Sequence, residues 1–309
     1  MSQQPVVQLR NVTKKIGGKT IVDRLSFEVP RGEVFGFLGP NGAGKTTTIR
    51  MMVGLISMTE GEVLVNGISV NKQFERAMRH VGAIVENPEL YKFLSGYQNL
   101  VHFARMIPGI TRERIDEVVA LVKLENRIDD KVKTYSLGMR QRLGVAQAIL
   151  HKPDVLILDE PTNGLDPEGI RELRDYLRQL AKAEGTSVIV SSHLLSEMEL
   201  MCDRVAVIQN GKLVDVRPIR DMVAASEGPV QVTFTAEPAE LAAKVASGML
   251  QDGPAIATRD GFTAALPYDD IPGLVRKLVE ADVRVFGVKA ASKTLEDQFL
   301  EMTRGGQIV

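Results

Sequence analysis

Short runs of apolar residues alternate with stretches of helical spacing along the first two thirds of the chain. The runs Val34–Leu38, Val155–Leu158 and 187–190 have the length of buried strands. Residues 45–55 and 169–183 instead repeat their apolar side chains at helical intervals. Strands that alternate with helices favour a mostly parallel sheet covered by helices on both faces. The pattern therefore predicts an α/β fold.

Further elements complete this first domain, which we place at residues 1–216. Asn66-Gly67 and Asn210-Gly211 are turn signals between apolar segments, and the second predicts a hairpin. The region of about 89–152 has helical spacing and few strand signals, so we expect a separate helical subdomain there. The additional strands are predicted at residues 6–12, 25–29, 62–65, 205–208 and 212–216.

The pattern changes after residue 216, where Arg217-Pro218 and Glu227-Gly228-Pro229 interrupt it. We predict, in chain order, a strand at 230–234, a helix at 238–248, two strands around Asp260-Gly261, a helix at 271–280 and a strand at 283–288. This βαββαβ order is that of a ferredoxin-like fold, so residues 217–309 form a second, small α+β domain. Many unrelated functions use this fold. The domain is therefore open to two readings, a regulatory or dimer-stabilising element and a merely stabilising appendage.

Composition narrows the classes of partner. The 309 residues carry a formal net charge of −1, so no overall field attracts nucleic acid or an acidic membrane. The single cysteine, Cys202, excludes a disulfide within the chain and fits a reducing compartment. The chain has no signal-peptide pattern and no apolar run of about 20 residues, the length needed to span a membrane.

The strongest chemical signal is the octapeptide Gly39-Pro40-Asn41-Gly42-Ala43-Gly44-Lys45-Thr46. It matches the phosphate-loop pattern, and it follows a predicted strand and opens a predicted helix, as that pattern requires. Glycines allow successive backbone N–H groups to point at phosphate oxygens, and the helix N-terminus favours negative charge. Lys45 is expected to reach the β and γ phosphates, and the Thr46 hydroxyl to bind Mg²⁺. The motif predicts that the chain binds ATP.

Two carboxylates follow the apolar run Val155–Leu158. Ligands of open α/β sheets bind at the carboxyl ends of the strands, where Asp159 and Glu160 are expected. Asp159 would hold Mg²⁺, and Glu160 would act as the general base for the attacking water. A strand that ends in two solvated acids is the alternative, which the phosphate loop disfavours.

Three more motifs follow in order and identify the family that the chain resembles. Tyr135-Ser136-Leu137-Gly138-Met139 precedes the acidic motif, Asn163-Gly164-Leu165-Asp166 follows it, and His193 comes after the strand at 187–190. With these five motifs, residues of about 5–216 resemble the nucleotide-binding subunit of an ABC transporter. The resemblance implies an ATPase whose ATP lies between the phosphate loop of one subunit and the signature of another.

The resemblance assigns roles to individual residues. It implies that Ser136 and Gly138 cap the γ-phosphate of the opposite subunit, that Asp166 communicates across the dimer, and that His193 touches the γ-phosphate. The predicted catalytic residues are Lys45, Glu160 and His193, and the predicted metal ligands are Thr46, Asp159 and Glu86. The residues predicted to bind the nucleotide are Gly39, Pro40, Asn41, Gly42, Ala43, Gly44, Lys45, Thr46, Thr47, Ile16, Ser136, Gly138 and Asp166.

The chain departs from the family pattern at three places. Its signature reads YSLGM where the family has LSGGQ, although Ser136 and Gly138 are kept. Glu86 stands where the family has a glutamine that touches Mg²⁺, which keeps a metal-binding oxygen but adds a charge. Ile16 replaces the aromatic that stacks on adenine, so we expect a modestly weaker grip on the base and looser base selectivity.

The motif YSLGMRQR and the tail at 294–302 resemble those of bacterial exporters of the bacitracin- and lantibiotic-resistance type. That subgroup has separate ATPase and membrane subunits. It implies an ATP-dependent homodimer at the inner face of the cell membrane, bound to a polytopic membrane subunit and not to nucleic acid. A pseudo-dimer with a related chain is the alternative to the homodimer. One alternative is an ABC ATPase that acts on DNA or ribosomes; another is a non-catalytic, ATP-gated sensor. The absence of coiled-coil insertions and of a basic stripe disfavours the first, and the intact Glu160 and His193 disfavour the second.

Overall fold

The computed structural model describes residues 4–224, 230–250 and 254–291. The chain divides into two compact units, Met1–Ile219 and Arg220–Val309. The strands of the N-terminal unit are β1 (Val7–Ile16), β2 (Lys19–Val29), β3 (Val34–Leu38), β4 (Glu60–Val65), β5 (Ile68–Ser69), β6 (Val81–Ile84), β7 (Val155–Leu158), β8 (Ser187–Ser192), β9 (Arg204–Gln209) and β10 (Lys212–Pro218). Its helices are α1 (Lys45–Met52), α2 (Phe74–Met78), α3 (Gly96–Ala104), α4 (Arg112–Leu121), α5 (Leu137–Ala148), α6 (Pro167–Glu184) and α7 (Leu195–Met201), with α8 (Ile219–Ala224) at the division.

A six-stranded sheet with the order β10–β9–β3–β8–β7–β6 forms the centre of the N-terminal unit. Its strands pair in parallel except at the β9–β10 hairpin. Every residue of β3, β7 and β8 is buried, as expected for strands covered on both faces. Because parallel strands end at the same edge, the residues after β3, β7 and β8 come together there.

A second, antiparallel sheet with the order β2–β1–β4–β5 shares its core with the first. Phe27 of β2 stacks on Phe35 of β3, with ring centroids 5.6 Å apart. The sequence patterns predict strands here, but they indicate neither the separate sheet nor the length of β1 and β2. These two strands extend to a tight hairpin because Gly17 and Gly18 adopt positive φ angles of 55° and 80°.

One predicted helix boundary is wrong, and one strand is absent from the prediction. The helix predicted at 45–55 ends at Met52, since Val53 leaves helical geometry and Gly54 takes a φ of 70°. The strand β6 lies in a segment where the patterns predict none. It is only four residues long and contains Gly82, which weakens its strand signal.

The C-terminal unit contains β11 (Val230–Glu237), α9 (Ala239–Ser247), β12 (Ile256–Thr258), β13 (Gly261–Leu266), α10 (Ile271–Glu280) and β14 (Arg284–Ala291). Its sheet is antiparallel with the order β12–β13–β11–β14, and both helices contribute to its core. The elements therefore follow the βαββαβ order that the sequence predicts. The tail at 294–302, which resembles that of the exporter subgroup, lies outside the described residues.

In the ranges 4–224, 230–250 and 254–291, no helix combines the length and the apolar character that a membrane span requires.

Candidate functional site

The loop at residues 39–46 connects β3 to α1 at the edge where the parallel strands end. Gly42 and Gly44 adopt φ angles of 80° and 102°, which a residue with a Cβ atom reaches only with strain. Gly44 stands at the N-cap of α1, so the first free N–H groups of that helix face the loop. The loop therefore has the backbone form and the helix terminus that bind phosphate.

Lys45 occupies the first turn of α1 and is only 6% exposed. Its Nζ donates to the carbonyl oxygen of Gly39 at 2.8 Å and lies 3.1 Å from Oε1 of Glu160. A buried ammonium is costly unless it is paired and hydrogen-bonded. The contacts with Gly39 and Glu160 satisfy that requirement.

Glu160 follows β7 directly and connects Lys45 to His193. Its second oxygen, Oε2, lies 2.7 Å from Nδ1 of His193. The backbone of Glu160 has a φ of 49°, an uncommon value outside glycine, and its N–H donates to Oγ of Ser191 at 2.9 Å. Strained backbone of this kind is typical of functional sites.

The pKa of Glu160 follows from these neighbours. Burial acts to raise the pKa of this carboxyl, but hydrogen bonds from His193 and Lys45 and the charge of Lys45 outweigh burial and hold the pKa below its usual value. The group is therefore an ionised acceptor at neutral pH, the form that a general base needs.

Asp159 lies beside Glu160 and is 2% exposed. Its Oδ1 accepts a 2.6 Å hydrogen bond from Ser191 of β8, so Ser191 holds both acidic residues. The sequence interpretation missed Ser191. Its only signal is that Ser191 and Ser192 place two hydroxyls at the buried end of a strand, directly before His193.

The signature residues Ser136 and Gly138 lie at the start of α5. Ser136 is exposed, and its Oγ accepts from the N–H of Met139 at 3.2 Å as the N-cap of this helix. Gly138 is close to Leu165 of the following motif. Within the described residues, neither Ser136 nor Gly138 hydrogen-bonds to the loop at 39–46.

Asp166 is exposed and acts as the N-cap of α6. Its Oδ1 accepts from the N–H of Gly169 at 2.9 Å. The side chain thus stabilises the start of its own helix. The predicted role of Asp166 across a dimer interface would come in addition to this capping role.

Glu86 forms an ion pair with Arg50 of α1. The sequence interpretation did not single out Arg50, because nothing in the sequence connects two residues 36 positions apart. Within the described residues, no group of three or more His, Cys, Asp or Glu side chains has the arrangement of a metal site. Glu86 would have to leave Arg50 before it could serve as the predicted metal ligand.

The other predicted nucleotide ligands lie at the end of β1, in the loop and in the first turn of α1. Ile16 ends β1 and is 53% exposed, so a flat ligand can reach its side chain. Thr46 and Thr47 are half-buried in the first turn of α1, whereas Pro40 and Asn41 are exposed.

Comparison with known proteins identifies the family. The ABC transporter family model matches residues 22–163, which include the loop at 39–46, Ser136, Asp159 and Glu160. YhcH of Bacillus subtilis strain 168, an uncharacterised ABC transporter ATP-binding protein, is 57% identical over 298 residues and 96% of each chain. The chain belongs to the ABC transporter ATP-binding proteins.

Two further similarities refine the position of this ABC ATPase within the family. The bacitracin transport ATP-binding protein BcrA of Bacillus licheniformis is 36% identical over 98% of this chain and 99% of its own. A solved ATP-binding subunit of an ABC transporter superposes with a TM-score of 0.64 at 28% identity, covering 71% of this chain and 92% of its own. The resemblance drawn from the five motifs, to an ATPase of the bacitracin- and lantibiotic-resistance subgroup, is confirmed.

Proposed function

We propose that two copies of this ABC ATPase close on ATP and drive export through a separate polytopic membrane subunit, from the inner face of the cell membrane. The observation that carries the proposal is the division of the nucleotide site. Lys45, Glu160 and His193 are joined by contacts of 3.1 and 2.7 Å within one chain, while Ser136 accepts from Met139 at the start of its own helix and, within the described residues, has no hydrogen bond to these three side chains. A second copy supplies the missing half.

Hydrolysis follows from the contacts of these three side chains. When ATP enters, Lys45 exchanges Glu160 for the β and γ phosphates, which frees one carboxylate oxygen. Glu160 then accepts a proton from the attacking water. Since His193 uses Nδ1 towards Glu160, its Nε2 is available for the γ-phosphate. Loss of the γ-phosphate contacts reopens the dimer, because ATP can favour the closed state only by binding it more tightly.

The donor set of the site fits Mg²⁺. A carboxylate and a hydroxyl are ligands of the hard oxygen type that this ion prefers. Asp159, directly after β7, supplies the carboxylate, and Thr46, the last residue of the loop, supplies the hydroxyl. These two residues would hold the ion, which would neutralise charge on the phosphates. Asp159 engages Ser191 through Oδ1, so its other oxygen is the one proposed for the metal.

Export is proposed from the relatives. BcrA is named for bacitracin transport, and it matches this chain over nearly its whole length. We therefore propose a drug, an antimicrobial peptide or a lipid-like molecule as the substrate. The membrane subunit, which this chain does not contain, selects among these classes.

The test uses the full-length Glu160→Gln variant, which should bind ATP without turnover. Tagged protein is incubated with membranes of its source with and without ATP, and the retained proteins are identified. We expect a dimer by gel filtration and ATP-dependent retention of a polytopic membrane protein. Lys45→Ala is the matched control and should give neither result. A protein that stays monomeric with ATP contradicts the dimer, and retention of ribosomes or DNA in place of a membrane protein contradicts the transport role.

A further inference from the structure

One buried acid has no assigned role in this site. Glu197 lies on α7, four residues after His193, and is 8% exposed. A single oxygen, Oε2, accepts two hydrogen bonds of 2.7 Å, one from Oγ1 of Thr162 and one from Oγ of Ser192. Both lengths are normal for O–H···O bonds.

The two donors belong to different catalytic segments. Thr162 comes two residues after Glu160, and Ser192 directly precedes His193. Thr162 and Ser192 are 3% and 1% exposed, so no bulk water can replace the bonds to Glu197. One carboxyl oxygen therefore joins the segment that carries the base to the segment that carries the histidine.

Ser192 extends this connection to the phosphate loop. Its carbonyl oxygen accepts from the N–H of Gly39 at 3.4 Å, and its Oγ also accepts from the N–H of Leu194 at 2.9 Å. The position of Ser192 is thus determined from three sides: by the loop, by the start of α7 and by Glu197.

We infer that Glu197 is a positioning residue for ATP hydrolysis and that it sets the distance between Glu160 and His193. These two side chains meet at 2.7 Å, and a displacement of about 1 Å in such a contact can cost on the order of 10²-fold in rate. Glu197 acts through Thr162 and Ser192 and does not touch the nucleotide. The inference concerns the ATPase reaction itself, so it is independent of what the transporter carries.

The main test compares Glu197→Leu with Glu199→Leu. Glu199 is exposed on the same helix, so the second variant makes the same replacement without touching the two hydroxyls. We expect Glu197→Leu to lower the kcat of the purified full-length ATPase by about 10–100-fold and to leave the KM for ATP within about twofold. Glu199→Leu should match the parent protein in both constants.

The conservative variant separates positioning from bulk stability. Glu197→Gln keeps one carbonyl oxygen that can accept from both hydroxyls, so we expect it to regain most of the kcat lost in Glu197→Leu. The kcat is calculated per nucleotide-binding site, counted by titration with a fluorescent ATP analogue, so a loss of folded protein alone would leave kcat unchanged.

Thr162→Val and Ser192→Ala keep the proposal testable if Glu197→Leu does not fold. Each removes one donor, and each should lower kcat about 3–20-fold at unchanged KM, with a combined effect smaller than the product of the two. The inference is overturned if Thr162→Val and Ser192→Ala turn over at the parental rate. It is equally overturned if Glu197→Leu matches Glu199→Leu, or if Glu197→Gln turns over no faster than Glu197→Leu.

Discussion

The two halves of the nucleotide site differ in how far a single chain completes them. On the loop side, the side chains of Lys45 and Glu160 are 6% and 17% exposed and satisfy each other. On the signature side, Ser136 is exposed, and its hydroxyl accepts from Met139 as the cap of its own helix. The loop side is therefore assembled before any partner arrives, whereas the signature side presents a helix N-terminus to the solvent.

The difference follows from the elements that carry each half. The loop, Asp159 and His193 follow strands of one parallel sheet, whose hydrogen bonds fix their relative positions. The signature stands at the start of α5, which ends the predicted helical subdomain, and not at the end of a strand of that sheet. We expect chemistry to depend mainly on the first half and dimerisation on the second.

Among the variants on the loop side, Glu160→Gln should have the largest effect. Loss of the general base should lower kcat by about 10²–10⁴-fold. Removal of a carboxylate that competes for Lys45 should at the same time tighten ATP binding. Steady-state ATPase assays and titration with a fluorescent ATP analogue measure the two effects. Glu33→Gln, which breaks a surface ion pair with Arg204, is the control and should change neither.

Lys45→Ala should weaken ATP binding by about 10–100-fold, since a hydrogen bond to a charged group contributes about 1.5–3 kcal/mol. The same titration measures the dissociation constant. Lys72→Ala removes the lysine of an exposed pair with Glu62 and should leave the constant unchanged. Equal affinity of Lys45→Ala and the parent protein would refute the role given to this side chain.

Ser136→Ala tests the other half of the site. We expect about tenfold less ATP-induced dimer and an equal loss of kcat, with nucleotide affinity of the monomer unchanged. The variant also loses a helix cap, which costs about 0.5–2 kcal/mol of stability. Ser95→Ala removes a comparable cap from α3, so it controls for that loss. Similar dimerisation of Ser136→Ala and Ser95→Ala would argue against a role at the interface.

Ile16→Tyr tests only the contact with the adenine base of the nucleotide. An aromatic ring in this exposed position should tighten ATP binding by about 3–10-fold, since stacking on a base is worth about 1–3 kcal/mol by alanine substitution. ATP and GTP dissociation constants of both proteins, measured side by side, test this. Strong preference of the parent protein for ATP would contradict the expected loose selectivity.

The smallest expected effect concerns stability and pH. The pKa of Glu160 is lowered in the folded chain, so its contribution to the free energy of unfolding is complete above the unfolded value of 4.5 and is lost as pH falls through the folded pKa. We expect the difference in free energy of unfolding between the parent protein and Glu160→Gln to shrink from pH 6 to pH 3. Urea unfolding at several pH values measures it, and a difference independent of pH would exclude this coupling.

Much of the fold could be predicted because the strands of the central sheet are short, wholly apolar runs. The prediction missed β6, whose four residues include a glycine, and the separate sheet of β1 and β2, which depends on pairing between distant segments. In the site, Lys45 and Glu160 could be predicted because each lies in a contiguous motif. Ser191, Arg50 and Glu197 could not, since each has a partner 31 to 36 positions away in the chain.

The sequence by itself determined the phosphate loop, the acidic pair after β7 and the single copy of each half-site. These are local patterns, and their backbone form depends on glycines and strand ends within a few residues. Only the tertiary structure decided that Lys45 and His193 share Glu160, that Glu86 pairs with Arg50, and that Glu197 joins two catalytic segments. Such contacts arise where strands from distant parts of the chain end at one edge of a sheet, and no local pattern specifies which side chains meet there.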